Sequence, residues 1–438
     1  MSTRIVPPAE TGADDAEPFA GVNLYACFQC TKCSSSCPYG LSPQRVMRLL
    51  QLGQEDKARA LPTTELCAGC MTCTRVCPKG LNPMGVVHEL AGKAKGCQGL
   101  RGGIFAHIHA VSRLGSRLAP LSNWMTRLPG AALVNHYLLG IHKARTLPPY
   151  AVESFPAWFE GHQPCTSGDR GAVVLFHDTF MDYNFPEIGI AATQLLERAG
   201  YRVELADMVC CGRPMISNGF RENAARHAVE NINRLFGPAA EGKWIVGCEP
   251  SCLLTLRSEY AELAPCPETR ERARVVARQA LLIDEFLEIE AERPDSGLRF
   301  AGPGARGPNM LLFHSHCHHK AQAQPECSRR LLERAGYHVV PVRANCCGMA
   351  GSWGAHREHF ERSRRTFEEG VGLALGNDRQ AGIAVSGVSC RIQITDLGPD
   401  ARQPRHVVQW LCDALATDDA PPAQPATTTS RPQVILSR

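Results

Sequence analysis

Two groups of four cysteines lie within the first eighty residues, and both groups have the same spacing. The first group is Cys27, Cys30, Cys33 and Cys37, and the second is Cys67, Cys70, Cys73 and Cys77. Each group reads C-x2-C-x2-C-x3-C, and a proline follows its last cysteine. Three cysteines on a tight loop with a fourth at this distance form the arrangement with which thiolates hold iron-sulfur clusters. The spacing therefore predicts two 4Fe-4S clusters.

The fourth cysteine of each group is expected to serve the cluster of the other group, as in ferredoxins that carry two clusters. The expected ligands are then Cys27, Cys30, Cys33 and Cys77 for cluster 1, and Cys67, Cys70, Cys73 and Cys37 for cluster 2. A pair of zinc sites is the alternative. Tetrahedral zinc sites use four ligands each rather than two crossed quartets, and the proline after each fourth cysteine favours clusters.

The cysteine content of the whole chain also argues for metal binding. The chain has 21 cysteines in 438 residues, and Met1 to Ala20 contains no apolar segment of the kind a secretion signal needs. We therefore expect a reducing cytoplasm, in which grouped cysteines are metal ligands. The longest apolar stretch, Leu128 to Ile141, is too short to span a membrane. With 47 Lys and Arg against 43 Asp and Glu, the charge gives no reason to expect a nucleic-acid partner.

An internal repeat follows the cysteine-rich segment. The segment Leu195 to Tyr201 recurs residue for residue as Leu331 to Tyr337, and Cys-Cys-Gly follows in both copies, at Cys210 to Gly212 and Cys346 to Gly348. Adjacent cysteines rarely form a disulfide with each other, because its geometry is strained. We interpret them as ligands on a sharp turn that glycine allows. The repeat predicts two copies of one module that face each other.

The two copies differ in their candidate ligands. The second copy offers Cys317, Cys346, Cys347 and Cys390, enough for a third cluster. In the first copy Phe180 stands where Cys317 would align, which leaves Cys210, Cys211 and Cys252, with Cys248 as a candidate fourth ligand. The alternative is a degenerate first module that binds no metal.

Histidines and arginines accompany these cysteines. His314, His316, His318 and His319 crowd Cys317. We expect His316 and His318 to donate hydrogen bonds to cluster sulfur or to carry protons, and the alternative is that such residues cap the helix after the strand. Arg213 and Arg391 follow the ligands closely and could offset negative charge.

The surrounding patterns predict an α+β protein. A mainly helical two-cluster ferredoxin domain (21–97) precedes a basic helical connector (98–165), which carries no acid between Glu89 and Glu153. Residues 166–300 and 301–415 alternate short apolar runs with helical patterns, which indicates an α/β domain of two Cys-Cys-Gly modules on parallel sheets. The predicted strands are 172–177, 202–206, 243–247, 309–314, 338–342 and 382–386. Residues 1–20 and 416–438 are predicted to be disordered tails.

These motifs together resemble the Cys-Cys-Gly iron-sulfur proteins. That family includes heterodisulfide reductase subunits, the iron-sulfur subunits of glycolate oxidase and anaerobic glycerol-3-phosphate dehydrogenase, and the iron-sulfur half of FAD-linked D-lactate dehydrogenase-type oxidases. The resemblance covers about residues 21–413 and is most specific at Glu249 to Leu254, His316 to His318, Cys346 to Ser352 and Ser389 to Arg391.

The resemblance implies an electron-transfer subunit that is not catalytic alone. Its partner would be a separate FAD-containing dehydrogenase acting on a 2-hydroxy acid, because the fused oxidases carry a flavin domain that is absent here, and the glycines from Gly302 to Gly307 do not fit dinucleotide binding. A quinone or another acceptor would take the electrons. A heterodisulfide reductase-like catalytic subunit is the alternative, but Phe180 and Gln393 replace cysteines that it would need. A redox-sensing scaffold is a third interpretation.

The basic connector has two candidate roles. Its Lys and Arg side chains suit an acidic face of the partner, which we rank first, or anionic headgroups on the inner face of the membrane.

Overall fold

The computed structural model describes residues 19, 21–94, 99–165, 168–303, 307–399 and 402–416. The two predicted disordered tails therefore lie outside the described residues, apart from Phe19 and Ala416. Residues 304–306 of the glycine-rich loop also lie outside them. The domain boundaries remain predictions, whereas the order of the elements is visible.

The cysteine-rich segment is helical, and its two halves are built alike. Its helices are α1 (Lys32–Ser35), α2 (Pro43–Gln51), α3 (Glu55–Arg59), α4 (Pro62–Leu66), α5 (Thr72–Arg75) and α6 (Pro83–Ala94), after a 3-10 helix at Leu24–Ala26. Proline starts α2 and α6, where its missing N–H costs nothing. Val46 and Met47 of α2 pack against Val86 and Leu90 of α6 in a closed apolar core. The predicted helical patterns after each cysteine group are confirmed.

The connector is also helical. It contains α7 (Gly99–Ala106), α8 (Ile108–Arg117), α9 (Ala119–Arg127), α10 (Ala131–Leu138) and α11 (Phe155–Gly161). Its small residues Ser112 and Ser116 are buried, whereas Trp124 and Tyr137 are exposed. In the described ranges, none of the helices has the length and apolar character that crossing a bilayer requires.

The first module is a parallel four-stranded sheet with the strand order β2-β1-β3-β4. The strands are β1 (Ala172–Phe176), β2 (Arg202–Leu205), β3 (Ile245–Gly247) and β4 (Ala280–Leu282). The helices are α12 (Thr179–Tyr183), α13 (Pro186–Arg198), α14 (Arg213–Ser217), α15 (Arg221–Ala240), α16 (Pro250–Ser258), α17 (Tyr260–Leu263), α18 (Pro267–Gln279) and α19 (Ile283–Ala291).

The second module repeats this topology in the order β6-β5-β7-β8, again parallel. Its strands are β5 (Met310–His314), β6 (His338–Pro341), β7 (Gly382–Val385) and β8 (Arg405–His406). Its helices are α20 (Cys317–Gln322), α21 (Glu326–Arg334), α22 (Phe360–Phe367), α23 (Leu373–Asn377), α24 (Val388–Leu397) and α25 (Val407–Asp413), with a 3-10 helix at Trp353–Ala355 and a π-helix at Glu368–Gly372. The six predicted strands are confirmed, and β4 and β8 are additional.

The repeated Leu-Leu segments explain why the two modules form one body. Leu195 and Leu196 of α13 share a single buried core with Leu331 and Leu332 of α21. Because all strands within each sheet are parallel, the carboxyl ends of β1, β3, β5 and β7 open toward connecting loops, the usual place for ligands in such sheets. Cys252, Cys317 and Cys390 come after β3, β5 and β7, and the pairs Cys210–Cys211 and Cys346–Cys347 come after β2 and β6.

Candidate metal centres

The thiols of the two ferredoxin-like groups lie beside one another. Burial raises the pKa of the Cys33 thiol, and Cys27 and Cys30 add to the shift as neighbouring thiols. Burial likewise raises the pKa of Cys73, whose thiol neighbours include Cys67 and then Cys37. Cys37 and Cys33 of the first group are thus both neighbours of Cys73, which is compatible with crossed ligand sets, and the sets themselves stay a prediction.

The module-two thiols form a buried set to which the ferredoxin-like segment adds a member. Hydrogen bonds from Cys317 and then Cys347 lower the pKa of Cys346 well below its ordinary value, and Cys70 adds a third such bond. Cys347 also contacts Cys390, so all four predicted module-two thiols are brought together. The hydrogen bonds to Cys346, and then burial, raise the pKa values of Cys317 and Cys347. A stabilised thiolate among such thiols is a donor set that suits iron, because metals bind thiolates.

Glycine is required at the turn that carries Cys346 and Cys347. The backbone φ of Gly348 is 97°, and a Cβ atom there would lie 2.4 Å from the carbonyl oxygen of Ser363. The equivalent Gly212 has a φ of 83°. The predicted sharp turn after each cysteine pair is confirmed.

The ferredoxin-like segment docks on module two through the loops that carry Cys37 and Cys70. Arg362 Nη1 donates to the carbonyl oxygen of Tyr39 at 2.6 Å, and His318 Nε2 donates to that of Gly69 at 3.0 Å. Tyr39, Leu41, Cys70, Cys317 and Cys346 form one buried cluster. This contact between distant parts of the chain has no signal in the sequence.

Tyr39 places a phenol against the module-two thiols. Its hydroxyl lies 3.2 Å from Cys346 Sγ, and its ring meets the edge of Trp353 at 4.9 Å between centroids. Hydrogen bonds to cluster sulfur favour the reduced, more negative state of the cluster.

We expect Tyr39→Phe to lower the midpoint potential of the centre that includes Cys346, measured by redox titration with EPR detection. The control Tyr137→Phe, at a residue 73% exposed, should leave this potential unchanged; equal shifts in both variants would contradict the prediction.

The histidines around Cys317 have separate roles. His316 Nδ1 accepts from the backbone N–H of His318 at 3.2 Å and caps α20, so the capping alternative is correct for this residue. Burial lowers the pKa of His316 to about 4 and that of His318 to about 3. Both are therefore neutral at physiological pH. His314, which we did not favour from the sequence, lies with the thiols of Cys347 and Cys390.

Module one brings together three of its four candidate cysteines. Cys211 Sγ lies 3.1 Å from Cys252 Sγ, and Cys210 hydrogen-bonds with Cys211. The structure does not place Cys248 with them. Alternate residues of a strand point to opposite faces, and Cys248 continues the face of Val246, which packs into the core shared by both modules. Its nearest charges are those of Asp178, Asp284 and Glu249.

A cavity of about 210 Å³ lies between the two modules. Residues from both modules line it, including Cys210, Cys211, Cys252, Cys317, Asp178 and Glu249. Glu249 also joins the modules, since one of its carboxylate oxygens accepts from the backbone N–H of Val388 at 2.8 Å. Phe180, in place of the aligned cysteine, forms part of the wall.

Asp178 makes the stability of the cavity wall depend on pH. Burial and then the Glu249 carboxylate raise the pKa of Asp178 to about 7. An aspartate in the unfolded chain has a pKa of about 3.9, so between about pH 3.9 and pH 7 Asp178 is protonated in the folded state and ionised in the unfolded state. The free energy of unfolding therefore falls as pH rises through this window.

We expect Asp178→Asn to remove this fall and to raise the thermal midpoint above pH 7. Asparagine can still accept from the Phe180 N–H at 2.9 Å. The exposed Asp207→Asn should keep the pH dependence of the parent, and an unchanged profile in Asp178→Asn would contradict the argument.

Arg145 enters module two at the place where a disulfide-reducing relative would need its last cysteine. Its guanidinium donates to Gln393 Oε1 at 2.7 Å, Ser363 Oγ at 2.8 Å and the carbonyl oxygen of Gly354 at 2.8 Å. It also pairs with Asp396 at 3.3 Å. The sequence grouped Arg145 with the basic connector residues that suit a partner or a membrane surface, but its side chain is 1% exposed and is not available to either.

The two arginines predicted to offset cluster charge are paired with carboxylates. Arg213 pairs with Glu259 at 2.5 Å, and Arg391 with Glu187 at 2.9 Å. Arg213 nevertheless lines the cavity.

Comparison with protein families matches these parts one by one. Residues 26–82 match the 4Fe-4S dicluster domain, and residues 174–257 and 311–395 each match the cysteine-rich domain named CCG. The chain belongs to the Cys-Cys-Gly iron-sulfur proteins. The dicluster domain carries 4Fe-4S clusters, and the thiol groupings of the second cysteine-rich domain are compatible with a further one.

Curated relatives of this Cys-Cys-Gly protein include a dehydrogenase subunit, a dehydrogenase and a protein named for lactate utilization. It is 25% identical over 268 residues to a subunit of the anaerobic glycerol-3-phosphate dehydrogenase of Escherichia coli, covering 60% of this chain and 65% of that one. It is 29% identical over 244 residues to D-2-hydroxyglutarate dehydrogenase of Pseudomonas putida, covering 54% and 22%. It is 29% identical over 189 residues to lactate utilization protein A of an Exiguobacterium, covering 41% and 72%. The match thus spans less than two thirds of the first two relatives.

Proposed function

We propose that this protein is the electron-transfer subunit of a flavin-dependent oxidoreductase complex. It relays electrons from a separate FAD-containing dehydrogenase, which oxidises a 2-hydroxy acid or a similar substrate, to a quinone or another acceptor. The observation that carries the proposal is the contact of Cys70, in the dicluster domain, with Cys346 in module two. Through this contact a thiol of the dicluster domain and the thiols of module two form one buried group.

The proposed ligand sets are those that the cysteine spacing and the internal repeat predict. Cluster 1 is assigned to Cys27, Cys30, Cys33 and Cys77, cluster 2 to Cys67, Cys70, Cys73 and Cys37, and a third cluster to Cys317, Cys346, Cys347 and Cys390. Such clusters, when bound, take up and release electrons singly. The protein's part is to hold the thiolates, to exclude water from them and to place hydrogen-bond donors such as Tyr39 against them.

The replaced ligands favour relay over disulfide chemistry. Gln393 is held by Arg145 at 2.7 Å rather than offering a thiolate, and Phe180 fills the first position of module one. The cavity between the modules is the observation that supports the alternative, a heterodisulfide reductase-like catalytic subunit, because thiols of both modules reach it. The alternative predicts disulfide turnover by the isolated chain, lost in Cys347→Ser.

Anaerobic purification of the tagged chain from its source cells tests the proposal. We expect an FAD-containing dehydrogenase to copurify, and we expect its substrate to reduce this chain only when that partner is present. The Cys346→Ser variant should still bind the partner but should lose the third EPR signal. Substrate oxidation by the isolated chain, or purification without any flavoprotein, would contradict the proposal.

The connector presents an apolar and basic face suited to a membrane surface. Of the large apolar side chains that are exposed in the described part of the chain, ten lie between residues 114 and 138: Leu114, Leu118, Leu121, Trp124, Met125, Leu128, Leu133, Val134, Tyr137 and Leu138. Arg113, Arg117 and Arg127 are exposed in the same stretch, and each basic side chain near an anionic surface contributes about 1 kcal/mol. The exposed apolar side chains favour a membrane over the acidic partner face that we ranked first from charge alone. We propose peripheral binding to the inner face of the membrane, where a quinone is accessible.

Vesicle sedimentation tests this surface. We expect the protein to pellet with phosphatidylglycerol vesicles, and the double variant Leu121→Ser, Trp124→Ser to stay in the supernatant, since it loses buried apolar area. Leu373→Ser, at a residue 62% exposed in module two, is the matched control and should still pellet. If the double variant pellets normally but no longer binds the flavoprotein, this face is the partner's docking site instead.

A further inference from the structure

The histidine at the end of β5 is buried and lacks a hydrogen-bond partner. His314 is 1% exposed, and neither of its ring nitrogens has a partner among the residues that the structure describes. Leaving such a group buried costs about 1–3 kcal/mol, so native structures usually supply a partner of some kind. A missing partner at such a position points to a group that the polypeptide itself does not provide.

Two thiols lie near this ring. One ring nitrogen of His314 and the Sγ atoms of Cys347 and Cys390 all lie within 4.8 Å of one another. All three residues are buried. Nitrogen and sulfur donors bind a metal at roughly 2.0–2.3 Å, which places donors on one metal roughly 3–4 Å apart. The ring nitrogen of His314 and the two Sγ atoms therefore have the spacing of ligands on one metal. The ring makes no hydrogen bond among the described residues, so a network of polar contacts does not explain its position.

The internal repeat supplies a comparison within the same chain. His177 occupies the equivalent position at the end of β1, and its ring is satisfied by protein: Nδ1 contacts Asp182 Oδ1 at 2.8 Å, and Nε2 donates to the carbonyl oxygen of Ala206 at 3.1 Å. In module two, His319 stands where Asp182 aligns, and it contacts Ser386 Oγ at 3.3 Å instead. Module two has lost the carboxylate that holds the first histidine.

We propose that His314 is a fifth protein ligand of the module-two metal centre and binds iron through an imidazole nitrogen beside Cys347 and Cys390. The inference rests on the proposed third cluster. The neutral imidazole adds a nitrogen donor to the four thiolates and replaces none of them, so the negative charge of the ligand set is unchanged.

Pulsed EPR of the dithionite-reduced protein with ¹⁵N-labelled histidine tests the proposal. We expect a strongly coupled histidine nitrogen on the third cluster signal, its loss in His314→Gln, and its retention in His177→Gln, the equivalent position in module one.

The possible outcomes distinguish a failure of His314 ligation from a failure of the proposed third cluster. A third cluster signal without strong histidine coupling in the parent protein, or coupling that persists in His314→Gln, overturns the inference and leaves the proposed cluster standing. Absence of strong histidine coupling in the parent protein overturns the inference even if His314→Gln fails to fold. Iron analysis that finds only about eight irons per chain, the content of two 4Fe-4S clusters, overturns the third cluster and the inference with it.

Discussion

Replacing Cys37 with serine is expected to remove about four irons per chain, and the cluster lost should be the one built on the second cysteine group. The physical reason is the predicted crossed arrangement, in which Cys37 is the fourth ligand of the cluster held by Cys67, Cys70 and Cys73. Cys37 is one of the thiol neighbours of Cys73. Serine oxygen is a poorer ligand for iron than a thiolate, so a cluster with three remaining thiolates is lost on purification. Iron and acid-labile sulfide counting on anaerobically purified protein measures the effect.

Double variants test the crossing itself, because effects within one ligand set are not additive. Cys37→Ser combined with Cys67→Ser should remove no more iron than either change alone. Cys37→Ser combined with Cys33→Ser should remove about eight irons, because it affects two 4Fe-4S clusters. The opposite result would assign Cys37 to its own group. Cys266→Ser is the control, since Cys266 is exposed and contacts Thr269 at 3.2 Å, and it should keep the full iron content.

Local patterns in the sequence predicted the helices and strands because these elements depend on residues that are close together along the chain. The helices after each cysteine group, the six strands and the repeat between Leu195 and Leu331 follow from periodicity and identity within short segments. The strands β4 and β8 escaped prediction because three and two residues are too short to show an alternating pattern. The thiol groups of module two could also be predicted from the aligned copies.

The remaining features depend on contacts between residues that are far apart in sequence. Cys70 meets Cys346, and Tyr39 reaches the same thiol across more than three hundred residues. The spacing of residues along the chain does not predict such a contact. Cys248 was offered as a ligand because it is close to Cys252 in sequence, but the alternation of β3 turns it to the other face of the sheet. The distinction between His314 and its neighbours required the positions of their partners.

Removing the charge of Arg145 is expected to destabilise module two more than any change at the surface of the connector. Both partners of the Arg145 and Asp396 pair are 1% exposed. Burial lowers the pKa of Arg145 and raises that of Asp396, so desolvation opposes the charge on each. Breaking such a pair leaves one buried charge without compensation, which costs about 3–5 kcal/mol. Arg145→Met should therefore lower the denaturant midpoint of module two, followed by tryptophan fluorescence under anaerobic conditions.

Three further variants identify the cause. Arg145→Met combined with Asp396→Asn should recover part of the loss, because no charge is then left buried. Arg145→Lys should rescue little, since an ammonium cannot reproduce the planar contacts to Gln393, Ser363 and Gly354. The matched control Arg117→Met, at an exposed position of the same connector, should change stability by less than about 0.5 kcal/mol. If Arg145→Met were as mild as Arg117→Met, the guanidinium would be dispensable for module two. Gln393 would then be fixed by its contacts with Ser363 alone, and the connector would be joined to module two by its backbone and apolar contacts.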